Sequence, residues 1–139
     1  MAANSRFAMA THIMTALAVE QDKLNSTYLA NSLNTNPVVV RRILSELQKA
    51  GLLQTEAGRS GGARLAKKPA AISLFDVYVA VDDGELFAYN PNDPNKKCTL
   101  SCKMKSVLSP VFEAANSALA EKLKKIKLSD LVEEVDNTA

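Results

Sequence analysis

The 139-residue sequence predicts a mainly α fold with one small β-hairpin and a long C-terminal helix. Three observations carry that expectation. The stretch "NTNPVVVRRILSELQKAGLL" repeats apolar residues at helical spacing behind a strong start signal. The stretch "LLQTEAGRSGGARLA" sets two short strand-like runs around a glycine-rich turn. From Cys98 to about Ile126 a helical pattern runs through Leu108, Val111, Phe112, Ala115, Leu119 and Leu123. An apolar fraction of 47% is ample for a core, and the length suits one domain with an appended element.

The elements follow in order. Phe7, Ala10, Ile13, Met14 and Leu17 recur at helical spacing and predict a first helix over residues 5–20. The same segment is interrupted by Thr11 and His12, which argues against a secretory signal, and no apolar run approaches a membrane span. Ser26 is the expected cap of a short second helix in "STYLANSL". After the turn "NTN", Asn36 caps a third helix whose first residue, Pro37, needs no amide hydrogen; Gly51 suits the left-handed position after its end. Advancing about 100° per residue puts Val40, Ile43, Leu44 and Leu47 on one face and Val38, Arg42, Ser45 and Lys49 on the other, with Arg41 at the flank. In the hairpin, Gly58, Gly61 and Gly62 are expected to supply the positive φ angles of the turn. Ser73, with Asp76 at capping-box distance, starts a fourth helix ending near Asp82. The Pro- and Asn-rich "DDGELFAYNPNDPNKK" is a loop open to mobility or ligand-dependent ordering. Pro110 implies a kink in the long helix or a fresh start capped by Ser109. A last short helix, "LSDLVEEV", carries an acidic outer face.

Two short helices joined by a tight turn, followed by a hairpin, make a winged helix-turn-helix. The expected organisation is a winged domain over residues 1–82, a flexible loop over 83–97, and a cysteine-containing segment with a dimerisation helix over 98–139. So long an apolar stripe, Leu119 included, exceeds what a small winged domain can cover and argues for a second copy of the chain.

The net charge is only +2, but residues 36–68 hold seven basic residues against two acids, a local +5. Localised positive charge is what a nucleic-acid footprint would show. An outward face with Arg41, Arg42 and the apolar Val38 fits a helix entering the major groove, and Arg59 on the glycine-rich tip fits the minor groove. The alternatives are a solvated helix face and a turn that merely exposes an arginine. A winged adaptor that binds protein is a rival of another class. An enzyme is not expected: Cys-x-x-x-Cys is not the usual redox motif, the single histidine is on a distant segment, and "GRSGG" lacks the spacing and lysine of a phosphate loop.

The motifs "NSRFAMATHI", "LANSLNTNPVVVRRILSELQKAGLL", "GRSGGARLAKKPAAISLFDVYVAV" and "NKKCTLSCKM" together resemble the Rrf-two family of bacterial winged-helix transcription regulators over nearly the whole chain. "NTNPVVVRRI" and "ELFAYNPNDPNKKC" look most like its YwnA-like branch. The resemblance implies a homodimeric repressor on palindromic operator DNA; two cysteines with no secretion signal point to the reducing cytoplasm. It carries the DNA-binding role to Asn36, Val38, Arg41, Arg42 and Ser45 on the helix and to Arg59, Ser60 and Gly61 on the wing. Cluster-binding members of the family place three cysteines in the loop, whereas this chain has two, Cys98 and Cys102. An iron–sulfur cradle is thus incomplete and no cofactor is expected, although His12 on the first helix leaves a set of two thiolates and one imidazole open. The other reading of His12 is a polar residue near the dimer seam.

The thiols offer a simpler chemistry. They are four residues apart, so on a helix their Cα atoms lie about 6 Å apart on one face, near the upper end of disulfide range. Cys98 is expected at a helix start among Lys96, Lys97, Lys103 and Lys105, which favours thiolate and makes it the expected reactive sulfur of a redox or electrophile sensor. The alternative is two inert small hydrophobes.

Overall fold

The computed structural model describes residues 5–82 and 86–138. The first four residues of the expected winged domain, the first three of the expected loop and the terminal Ala139 lie outside the described residues. The order is α1 (Arg6–Glu20), α2 (Ser26–Leu33), α3 (Pro37–Lys49), β1 (Leu53–Glu56), β2 (Gly62–Leu65), a single 3₁₀ turn (Pro69–Ala71), α4 (Leu74–Val81), α5 (Thr99–Lys125) and α6 (Leu128–Asn137).

Amphipathic spacing becomes packing in α1 and α3. Ala10, Ile13, Met14 and Leu17 of α1 meet Val40, Ile43, Leu44 and Leu47 of α3 in one buried cluster. Asn36 caps α3 by accepting the Val38 N–H (2.8 Å), and Gly51 follows its end at φ +78°. Asn25, and not Ser26, caps α2: its backbone is extended and its Oδ1 accepts the Tyr28 N–H (2.8 Å), leaving Ser26 as the first helical residue.

β1 and β2 pair antiparallel from Leu53↔Leu65 to Glu56↔Gly62. Leu24 adds a third rung, exchanging both backbone hydrogen bonds with Ala63 (3.0 and 2.8 Å). The turn glycines therefore differ in purpose from the sequence expectation. Only Gly58 takes a positive φ (+98°). At Gly61 a Cβ would strike the Glu56 carbonyl, and at Gly62 it would lie 2.7 Å from the Leu24 carbonyl oxygen, so these two permit close backbone approach.

Ser73 and Asp76 form the expected capping box of α4. α5 passes Pro110 as one helix of 27 residues, about 40 Å long, with no fresh start at Ser109. The Ser106 carbonyl loses its amide partner there, but both residues are exposed and water can replace it. α5 is fixed to the winged domain at its C-terminal end: Leu74 N–H donates to the Ile126 carbonyl (2.9 Å) and Leu128 N–H to the Ile72 carbonyl (2.8 Å). Leu128 then enters the main core, bringing α6 back onto α1.

The apolar stripe of α5 divides. Leu119 and Leu123 pack within the chain against Leu74 and Tyr78, in a second small core with Phe7, Phe75 and Leu131. Leu119 is therefore no free seam residue. Instead Leu100, Met104, Val107 and Val111 stand exposed by 68, 38, 56 and 58%. Their spacing of four, three and four residues makes one continuous face.

Candidate nucleic-acid interface

α3 projects Val38, Arg41, Arg42, Ser45, Gln48 and Lys49 to solvent. Val38 is 47% exposed, a large apolar group held out of the core. Arg41 and Ser45 share a cleft of about 390 Å³ with Gly58, Gly61 and Gly62 of the wing. Ser26 at the start of α2 lines the same cleft. Arg59 and Ser60 are exposed at the hairpin tip. The residues expected on helix and wing thus come to adjoining surfaces. Asn36 joins them at the start of α3, where its Oδ1 is committed to the cap and its side-chain NH₂ is the group able to donate.

Two tethers unseen from sequence fix the wing. Thr55 Oγ1 donates to Gln48 Oε1 of α3 (2.8 Å). Glu56, the next residue, accepts from Lys23 Nζ (3.1 Å) and lies 3.5 Å from the Arg64 guanidinium. The Lys23 hydrogen bond, then the charges of Lys23 and Arg64, hold the Glu56 carboxyl below the ordinary carboxylate range. Gln48 was findable, since it lies one turn beyond Ser45 on the outward face; Thr55 and Lys23 meet their partners only through the tertiary fold.

The basic third of the chain does not form one surface. Arg64, Lys67 and Lys68 line a separate cleft with Lys23 and Asp22 beside the end of α1. Among the described residues, Arg41, Arg42 and Lys49 on α3 and Arg59 at the wing tip have no acidic partner, and neither have Lys67 and Lys68 in the second cleft, so the uncompensated charge is divided between the two surfaces.

At the other end of α5 the thiols are free. Cys98 is the N-cap of α5 and its Sγ accepts the Ser101 N–H (3.4 Å). Cys102 is exposed and its thiol donates to the Asn95 carbonyl (3.5 Å). The Asn95 N–H donates to Ser101 Oγ (2.8 Å). Residues 86–97 form no helix or strand but are clasped to α5: Phe87 and Tyr89 lie 5.2 and 5.0 Å from Phe112, and Lys105 sits over the Tyr89 ring.

His12 is exposed and hydrogen-bonded to Ser32 Oγ (2.8 Å). Among the described residues no three His, Cys, Asp or Glu side chains come together as a metal site. Two sulfurs, each engaged with backbone, do not fit a four-ligand cluster within one chain.

A helix-turn-helix with a glycine-tipped wing and a positive outer face defines a winged-helix protein of the DNA-reading class. The Rrf2 family, described as iron-dependent transcriptional regulators, matches residues 3–134, and the chain belongs to it. It is a DNA-binding transcriptional regulator, not an enzyme. YwnA of Bacillus subtilis, named as an HTH-type transcriptional regulator, is 44% identical over 93% of this chain and 96% of its own. A crystal structure of a protein described as DNA-binding is 39% identical, with TM-score 0.73 over 91% of this chain and 98% of that one. A transcriptional regulator from Lactobacillus plantarum is 26% identical, with TM-score 0.80 over 96 and 91%. No helix among the described residues is long and apolar enough to cross a membrane.

Proposed function

We propose that the chain is a homodimeric repressor, working in the cytoplasm on a palindromic operator and released by oxidation or alkylation of Cys98 and Cys102. The observation that carries the dimer is the exposed face of Leu100, Met104, Val107 and Val111, which a second α5 would cover. Arg42 and Arg41 read base edges in the major groove, Val38 meets a thymine methyl, and Asn36 and Ser45 complete the helix contacts. Arg59, with Ser60 and Gly61, follows the minor groove.

The sensor chemistry uses the thiols alone. The Cys98 thiolate attacks a hydroperoxide, giving a sulfenic acid and releasing the alcohol or water; the Cys102 thiol then displaces water to form the disulfide. Both sulfurs must leave their present partners, the Ser101 amide and the Asn95 carbonyl, so the clasp of residues 86–97 on α5 changes. α5 is anchored at its far end, so a change at its free end alters the angle between the two winged domains.

The test is operator affinity by fluorescence anisotropy, on duplexes selected from a random pool, at several salt concentrations and with increasing peroxide. The expected result is dyad-symmetric selected sites, affinity that falls steeply with salt, and release by peroxide in the parent but not in Cys98→Ser. A parent that keeps full affinity with Cys98 shown by mass spectrometry to be oxidised would exclude the thiol switch.

A further inference from the structure

Two consecutive residues in the first turn of α1 reach in different directions. Arg6 Nη2 donates to Glu46, the one acid on α3, and Arg6 Nε donates to the carbonyl of Val81, the last residue of α4 (3.5 Å). Phe7 stands edge-on to Tyr78 (5.3 Å, 82°), in the small core that holds Leu119 and Leu123 of α5. The first turn of α1 therefore joins the helix that reads DNA to the base of the arm.

The two grips differ in what they can fix. Burial of Val40, Ile43, Leu44 and Leu47 against Ile13, Met14 and Leu17 sets which side of α3 faces out; what a directional bond adds is resistance to the small rotations about the axis that keep those side chains buried. A charge-assisted guanidinium–carboxylate bond has direction. Glu46 is the residue after Ser45, so fixing it fixes the roll of the face that carries Arg42 and Ser45. The side chains of Arg6 and Glu46 are 34 and 38% exposed, so salt weakens the pair without abolishing it.

We infer that Arg6 is a positioning residue for DNA reading: through Glu46 it sets the roll of α3 relative to the arm, and so the angle and separation of the two recognition helices in the dimer. The inference rests on the dimeric DNA-binding reading above. Its consequence is that half-site spacing, rather than half-site affinity, depends on Arg6.

The experiment measures the full chain on duplexes carrying two selected half-sites at their selected spacing, the same half-sites with one base pair inserted or deleted at the dyad, and a single half-site. One base pair rotates a half-site by roughly 34 to 36° about the DNA axis, which a rigid dimer must resist. The parent is expected to prefer the selected spacing by about tenfold or more, and Arg6→Met and Glu46→Gln to reduce that preference to about twofold, within the span of measured pairwise couplings. Single half-site affinity and the circular dichroism spectrum stay those of the parent. The double swap Arg6→Glu with Glu46→Arg restores part of the spacing preference. Variants that keep the parent's preference would overturn the inference, as would an equal loss of affinity at every spacing, which is the mark of a merely structural role. If the parent itself binds without regard to spacing, the dimeric reading fails, and the inference with it; Glu46→Gln keeps the test open should Arg6→Met fail to fold.

Discussion

The winged domain and the arm it carries are opposite solutions to the same chemical problem. In the winged domain, apolar periodicity is answered within the chain: Ile13, Met14, Leu29, Val40, Ile43, Leu47, Ile72 and Val77 are all fully buried, joined by Leu128 of α6. In α5 the answer is partial. Its last turns find Leu74 and Tyr78, while among the described residues Leu100, Met104, Val107 and Val111 join neither buried cluster and stay 38 to 68% exposed. The winged domain leaves only scattered apolar groups such as Val38 and Val79 on a mainly polar outer face; the unsatisfied helix presents a continuous apolar face, where assembly is expected.

The largest effect should come from denying the arm its cover. Val107→Asp with Val111→Asp places two charges on the face assigned to the second copy, where desolvation without a partner costs several kcal/mol. Sedimentation should show monomer while circular dichroism stays unchanged; a dimer would mean the seam is elsewhere. In the winged domain the opposite holds. Leu47→Ala should cost about 2 to 5 kcal/mol in denaturant unfolding, because the cavity sits in a core that cannot relax. Val107→Ala in the monomeric background should be nearly silent.

On the outer face, Arg42→Ala should lose about 1 to 3 kcal/mol of operator affinity, with altered preference at one base position if the guanidinium pairs with a guanine. Binding equal to the parent would remove Arg42 from the groove. A smaller effect is expected from Gln48→Ala: a loss of stability of about 0.5 to 1.5 kcal/mol at most, because the lost hydrogen bond is exposed, together with weaker operator binding from a less firmly held wing. Thr55→Val should match it, since either variant breaks the same tether.

The smallest effect is the pH dependence of the wing. Glu56 has a lowered carboxyl pKa in the fold, so its tether is fully present above the ordinary carboxylate range and is lost as pH falls through the lowered value. An NMR titration of Glu56 should show its midpoint rising toward the ordinary range in Lys23→Met. No change in that variant would mean that Lys23 is not the principal cause.

The same contrast explains what was legible in the sequence. α3 could be read nearly whole because Asn36, Pro37, Gly51 and the Val40–Ile43–Leu44–Leu47 spacing are local signals. The N-cap of α5 at Cys98 was local too. Ser26, the expected cap of α2, stands beside Asn25, an equally good capping residue, and only the backbone decides between them. A glycine-rich turn suggests positive φ at Gly61 and Gly62, whereas the carbonyls they make room for belong to Glu56 and to Leu24 in a different segment. Leu119 reads as a seam residue from sequence because periodicity tells which side of a helix is apolar and never what covers it. Gln48–Thr55, Lys23–Glu56 and Arg6–Glu46 join residues far apart in the chain, and no pattern within one segment carries that information.

In the proposed dimer, two copies of α3, set by paired arms, read one face of a duplex. Chemical footprinting of the parent on its selected duplex tests this arrangement most directly. The expected footprint is two protected major-groove segments related by a dyad, their centres about one helical turn or a multiple apart, with minor-groove protection beside each. A single asymmetric footprint, or protection confined to the minor groove, would contradict it.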